Sequence, residues 1–306
     1  MSSRQADLLN ELEGEAERLL ERHLDGAKEW FPHELVPWGR GRDFVPDQAW
    51  DPLDYPVDDG VRSALFVNLL TEDNLPYYFR TIERMFGADD VWGTWARRWT
   101  AEEGRHSIVL RDYLTVTRAL DPVELERGRM AQVSGGAVPE PATAADGFVY
   151  VALQELATRI AHRNTGKLLT DRVGYEVMAR VASDENLHYL FYRDMVTAAL
   201  EVDPSVMMLA IERQVREFEM PGTGIPGFGA HAYAIAKAGI YDLSIHHDHI
   251  LVPVVLRHWG VEGRTGLTPE AERARDALVR RIERIGRAAR TLESRAARHE
   301  RQLTNA

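Results

Sequence analysis

Two four-residue stretches, Glu103-Gly104-Arg105-His106 and Glu185-Asn186-Leu187-His188, decide how this chain reads. Each is a Glu-x-x-His. Each follows a lone glutamate, Glu72 lying 31 residues before the first and Glu155 lying 30 residues before the second. Residues three apart on a helix share a face, so each Glu-x-x-His can turn a carboxylate and an imidazole toward one point. A spacing of about 30 residues brings the middles of two antiparallel helices level, each some 22 Å from the turn that joins them. The chain therefore reads as one helix hairpin occurring twice. A glutamate from each of two helices and a Glu-x-x-His from each of the other two form the ligand set of a carboxylate-bridged metal pair in a four-helix bundle. Four carboxylates match two divalent ions. Without a cation they repel one another and lose solvent, so their pKa values should rise. Glu-x-x-His also arises by chance in a chain of this composition, so the helical context and the neighbouring residues carry the rest.

The composition permits this reading and narrows the others. A chain of 306 residues can bury a full core, as one large domain or two small ones. Cysteine is absent. That excludes disulfides and thiolate-bound zinc or iron–sulfur sites, and it fits a cytoplasmic protein. A metal must then be held by histidine and carboxylate, which suit iron, manganese or zinc. No apolar run reaches the length of a membrane span, and the acidic, helix-like segment from Met1 to Leu24 does not read as a secretory signal. The net charge of −11 argues against nucleic acid as a partner. Between Arg264 and Arg301, however, eleven arginines face six acids, which leaves the remainder more acidic still. This basic stretch reads as a solvated helix face, with an acidic partner as the alternative.

Along the chain the pattern is helical throughout. Residues 4–30 form an amphipathic helix carrying Leu8, Leu9, Leu12, Leu19 and Leu20. Residues 32–60 are rich in proline and glycine and read as a long surface loop. Residues 61–86 and 90–119 make the first helix pair, and 147–171 and 174–200 the second. Pro76 should bend the first helix, because it cannot donate to the Glu72 carbonyl. Asp121-Pro122 ends or interrupts the second helix, and residues 131–146 read as a loop. A helix restarts at Asp203-Pro204, and residues 230–258 and 268–301 are helical. The expected fold is all-α: a four-helix bundle at about 61–200 with flanking helices and a basic tail at about 268–306, in one domain spanning 1–306.

The neighbours of the ligand candidates sharpen the reading. Thr71-Glu72-Asp73-Asn74-Leu75-Pro76, Trp99-Thr100-Ala101-Glu102-Glu103-Gly104-Arg105-His106, Gln154-Glu155-Leu156-Ala157-Thr158 and Asp184-Glu185-Asn186-Leu187-His188 follow in that order. Together they closely resemble the soluble acyl-carrier-protein desaturases, a family with a ferritin-like di-iron bundle. The similarity continues through Trp38 to Asp47, His162 to Thr165 and Thr265-Gly266-Leu267, and so covers about residues 30–270. The resemblance implies that Glu72, Glu103, His106, Glu155, Glu185 and His188 bind two iron ions. It implies that Thr158 lies beside the oxygen-binding face, and that Trp38, Asp184 and His106 form a route for electrons. It also implies the reaction, in which O2 and two electrons from a ferredoxin-type donor introduce a cis double bond into a fatty acyl chain on acyl carrier protein. A homodimer is expected. Gly104 replaces the family's usual asparagine, and Asn186 and Leu187 replace basic residues. These changes remove no ligand but touch docking and fine geometry.

Other residues have a functional and a bland reading. His246-His247-Asp248-His249 is a rival metal motif, outweighed by a surface helix or a subunit contact. His162 reads as a hydrogen-bonded core histidine rather than a ligand. Tyr77, Tyr78, Phe79, Phe86, Trp92, Trp95 and Trp99 either line an acyl channel or fill the core. Alternative functions are a related di-iron hydroxylase or oxygenase on another apolar substrate, iron storage, or a catalytically impaired desaturase-like metal-binding protein.

Overall fold

The computed structural model describes residues 3–45 and 47–304, and among these there are helices and no strand. In chain order the α-helices are α1 (Ser3–Gly26), the single turn α2 (Pro32–Leu35), α3 (Asp59–Glu72), α4 (Leu75–Phe86), α5 (Asp90–Thr117), α6 (Pro122–Gly135), α7 (Ala144–Leu168), α8 (Arg172–Val202), α9 (Pro204–Glu217), α10 (Phe228–Lys237), α11 (Leu243–His246) and α12 (Pro269–Thr304). A π-helix, His247–His258, continues α11.

The bundle at the centre is α3, α5, α7 and α8, as the doubled hairpin requires. Two of its helices, α7 and α8, start at side-chain caps. Thr143 accepts from the Asp146 amide at the start of α7, and Asp171 accepts from the amides of Val173 and Gly174 at the start of α8. Such caps satisfy donors that the first helical turn leaves open. α1 lies across α5 and α8 and buries Leu8, Leu9, Leu12, Leu19 and Leu20, the leucines of its sequence stripe. α9 and α12 pack side by side at the far end, where Leu278, Ile282 and Ala289 of α12 are buried.

Three boundaries differ from the sequence reading, each for a local reason. The segment 61–86 is two helices rather than one bent helix. α3 stops at Glu72, Asp73 and Asn74 turn, and Pro76 sits in the first turn of α4, where its missing N–H costs nothing. α6 fills 122–135, so the expected loop begins only at Gly136, whose positive φ of 61° ends that helix. The segment 230–258 is broken after α10 near Gly239, with φ of 69°, before the chain enters α11 and the π-helix. Gly286 lets α12 approach that π-helix: a Cβ there would lie 2.6 Å from His247 Nε2.

The core has two hydrophobic clusters. One gathers α1, the first half of α5, most of α7, the second half of α8, and α9 and α12. The other gathers α3, the second half of α5 and the first half of α8. The polar side chains Glu102, Glu103, His106, Glu155, His162, Asp184, Glu185 and His188 fall between the two. The candidate ligands therefore form a polar layer sealed above and below by apolar side chains.

Candidate metal centre

Each ligand candidate sits on a helix, five in helix interiors and Glu72 at the end of one, so the backbone fixes it before any cation arrives. Glu72 closes α3, Glu103 and His106 lie mid-way along α5, Glu155 along α7, and Glu185 and His188 along α8. All six are buried. They converge as two overlapping groups, Glu72–Glu103–His106–Glu185 and Glu103–Glu155–Glu185–His188, in each of which the candidate ligand atoms lie within 4.8 Å of one another. Glu103 and Glu185 belong to both groups.

The two histidines have the same orientation. His106 turns Nδ1 inward, 3.2 Å from Glu103, 3.4 Å from Glu185 and 3.8 Å from Glu72. His188 turns Nδ1 inward, 2.9 Å from Glu103, 3.6 Å from Glu185 and 3.7 Å from Glu155. Although Glu103 Oε1 and His188 Nδ1 are this close, neither forms a hydrogen bond, and Oε2 of Glu155 and of Glu185 also lack a partner. Buried polar atoms are nearly always paired. Four orphaned atoms aimed at one space fit a cation, and the donor set of oxygens and imidazole nitrogens suits iron or manganese.

The electrostatics divide the four acids. Burial, with the neighbouring Glu103 and Glu185 carboxylates, pushes Glu72 well above the ordinary carboxylate range, and burial with Glu185 does the same to Glu155. Burial would raise Glu103 and Glu185 too, but their hydrogen-bonding and imidazole neighbours outweigh it and hold both below the ordinary carboxylate value. Burial alone would lower His106 and His188. The acids around them outweigh it and hold both well above the ordinary imidazole value. Protons thus occupy the role that divalent ions would take, since a cluster of four acids in a dry layer needs positive charge.

The outer nitrogens also face carboxylates, His188 Nε2 through a hydrogen bond and His106 Nε2 at charge-contact distance only. His106 Nε2 lies 3.5 Å from Asp184, which also accepts from Trp30 Nε1 at 2.8 Å and pairs with Arg105 and Arg180. His188 Nε2 lies 2.9 Å from Glu102, which also meets His23 at 2.9 Å and Arg98 at 2.5 Å. Trp99 Nε1 donates to Glu155 at 3.0 Å. His162 is buried with Nε2 3.1 Å from Glu72, and burial pushes its pKa down to about 4.

Trp38 needs correction. It is 52% exposed, and its Nε1 donates to the backbone of His33, so it does not meet Asp184. Trp30 does, at 7% exposure. Both tryptophans flank the turn α2, and only packing separates them. Sequence reasoning also passed over His23 and gave Glu102 no role of its own. Glu102 had a visible signal: like Asp184, it is an acid directly before a ligand glutamate. At the rival motif, His246 is buried against Tyr241 Oη at 2.8 Å and His247 pairs with Asp248 at 2.5 Å, so the two do not face a common point.

One cavity reaches the polar layer and a second lies beside it. The inner one, about 50 Å³, runs between α4 and α7 past Leu75, Tyr78, Ile82, Met85 and Val151 and ends on Glu72, Glu103 and Glu185. The outer one, about 180 Å³, is lined by Val67, Phe228, Ile235 and Tyr241. Thr71, Thr158 and Pro221 border both. Thr158 Oγ1 donates to the Gln154 carbonyl and accepts from the Gln154 amide, each at 3.0 Å. Of the aromatic run, Tyr78 and Trp99 line the inner cavity, whereas Phe86, Trp92 and Trp95 pack into the core.

Comparison with known proteins gives consistent results. The family described as fatty acid desaturase matches residues 4–306. A Mycobacterium tuberculosis protein provisionally named acyl-(acyl-carrier-protein) desaturase DesA1 is 44% identical over 91% of this chain and 86% of its own length. Acyl-(acyl-carrier-protein) desaturase 7 of Oryza sativa, a chloroplast protein, is 31% identical over 96% of this chain and 84% of its own. The crystal structure of the provisionally named acyl-carrier-protein desaturase DesA2 of M. tuberculosis H37Rv superposes with a TM-score of 0.72 at 28% identity, covering 88% of this chain and 99% of that one.

Proposed function

The chain belongs to the fatty acid desaturase family, and on that premise we propose that it is a di-iron, O2-dependent acyl-(acyl-carrier-protein) desaturase that places a cis double bond in a carrier-bound acyl chain. The observation that carries this reading is the inner cavity. Its walls are largely apolar, and one side is formed by three carboxylates of the polar layer. At about 50 Å³ the cavity takes a short methylene segment rather than a whole acyl chain, and its apolar wall against the carboxylates marks where chemistry would be directed.

Glu72, Glu103, His106, Glu155, Glu185 and His188 would hold two irons. When bound, the iron pair supplies oxygen activation, so that O2, two electrons and two protons convert two adjacent methylenes to an alkene and two waters. The protein does the rest. Ile82, Met85 and Val151 hold the chain extended past the carboxylates. The two apolar clusters exclude bulk water from the polar layer. Asp184 and Glu102 keep a proton on the outer nitrogen of each ligand histidine and leave Nδ1 free to bind. Thr158 stands at the junction of the cavities, beside the space that oxygen must enter. Electrons from a ferredoxin-type donor would enter through Trp30 and Asp184 rather than Trp38.

The reading extends to a homodimer, to a chain that folds as one domain, and to the cytoplasm, which the absence of cysteine suits. Among the described residues no helix is long and apolar enough to cross a membrane.

The test is incubation of iron-loaded protein with a reductant, O2 and a panel of acyl carriers, followed by mass spectrometry of the released lipids. Loss of two hydrogens from an acyl chain supports the proposal. Gain of one oxygen supports a hydroxylase. Unchanged lipids with every carrier overturn the assignment.

A further inference from the structure

The carboxylates behind the two ligand histidines cross the bundle. Asp184 precedes Glu185 on α8 yet faces His106 on α5. Glu102 precedes Glu103 on α5 yet faces His188 on α8. Each carboxylate is in turn held by a side chain from the end of α1 or the seven residues that follow. Trp30 holds Asp184 and His23 holds Glu102. One half of the centre thus closes on an indole and the other on an imidazole.

His23 is buried, 19° from parallel with the His188 ring at 5.8 Å between centroids, and edge-on to Trp95 at 5.0 Å. Its Nε2 and that of His188 approach the same oxygen of Glu102, each at 2.9 Å, while Arg98 holds the other oxygen. Two imidazole nitrogens on one oxygen and a guanidinium on the other leave Glu102 no freedom to rotate.

We propose that His23 is a positioning residue of the metal centre: by locking Glu102 it fixes the His188 ring with Nε2 protonated and Nδ1 presented to the metal, in one half of the centre only. A core histidine with a merely structural role would be indifferent to which metal position is filled. A third metal site is the other reading, since His23, Glu102 and His188 lie within 4.8 Å of one another. It is disfavoured because Arg98 already places positive charge on Glu102.

The proposal rests on the metal-centre reading, and cobalt(II) binding separates the two. Wild-type protein should bind two cobalt ions per chain and show two exchangeable, hyperfine-shifted imidazole N–H resonances. In His23→Met, which has the length of glutamine but no donor, one of the two ions should weaken about 10–100-fold and one of the two resonances should broaden into solvent exchange. His23→Gln should restore both. Trp30→Phe should disturb the other resonance. In the wild type, the N–H proton of His188 should also show a nuclear Overhauser contact to the His23 ring, a measurement that needs no variant to fold. A wild type that binds no cobalt overturns the metal reading and this proposal with it. Two cobalt ions in the wild type, with both ions unaffected or both equally weakened in His23→Met, with glutamine no better than methionine, or with no contact to the His23 ring, overturns the role of His23 alone.

Discussion

Glu102 and His188 lie on different helices and in different halves of the repeated hairpin, yet they meet at 2.9 Å. Asp184 and His106 make the reciprocal contact at 3.5 Å. The duplication therefore builds two half-sites that depend on each other, since each Glu-x-x-His is oriented by the acid next to the ligand of the other. Asp184→Leu should weaken metal binding about 10–100-fold, the usual effect of losing such a partner. It should do so with Glu72, Glu103 and Glu185 untouched. Competition titration against a chelator reads the change, and an affinity within twofold of wild type would remove Asp184 from the account.

The length of the acyl chain should be set by the inner cavity. Met85 borders it and also packs against Gly147, where an added Cβ would lie 2.7 Å from the Met85 sulfur. There is no slack for a larger side chain to retreat into. Met85→Trp should favour shorter acyl chains, with kcat/KM for the longest substrates falling by about 10- to 200-fold for each methylene excluded. Product analysis across a carrier panel tests this. An unaltered chain-length preference would place the substrate elsewhere.

Gly104 lies inside α5 between the candidate ligands Glu103 and His106. A Cβ there meets only Leu75 at 3.9 Å, an ordinary contact. Gly104→Ala should therefore stabilise the protein by about 0.5–1 kcal/mol by removing the entropy that a helical glycine costs. Gly174 is the opposite case, because a Cβ would overlap Tyr113 and Leu169. Gly174→Ala should destabilise by about 1–3 kcal/mol. Denaturant unfolding of both variants should show shifts of opposite sign.

Asp171 caps α8 and pairs with Arg40 at 3.0 Å and the Tyr113 hydroxyl at 2.9 Å. Burial alone would raise its pKa, but these partners outweigh burial and hold it below the ordinary aspartate value. The unfolded chain therefore takes up this proton at a higher pH than the folded one. The stabilisation is complete above the ordinary aspartate range and disappears as pH falls through the depressed native value. Asp171→Ala should cost about 0.5–2 kcal/mol at neutral pH. That difference should shrink in acid. A deficit independent of pH would show that the residue acts through packing alone.

The sequence made the polar layer legible because its spacings are imposed by helical geometry. Glu103, His106, Glu155, Glu185 and His188 lie in helix interiors and Glu72 closes α3, so three-residue and thirty-residue intervals translate into position. Trp30 and Trp38 were not separable in this way, because both lie outside long helices and only the path of the chain around α2 buries the first and exposes the second. His23 was hidden for another reason: it belongs to a helix that packs across the bundle, and the register of α1 against α5 and α8 leaves no periodic trace. Pro76 marked a real break, but the sequence could not show that α3 would stop at Glu72 and leave that carboxylate at a helix end facing the cavity.

The central claim is that six side chains hold two metal ions between four helices. Anaerobic ferrous loading followed by elemental analysis, on the wild type and on Glu103→Ala and His188→Ala, tests it most directly. The account predicts two irons per chain in the wild type and no more than one in either variant, with the iron-loaded melting temperature falling in step. Iron absent from the wild type, or two irons retained in both variants, would contradict it.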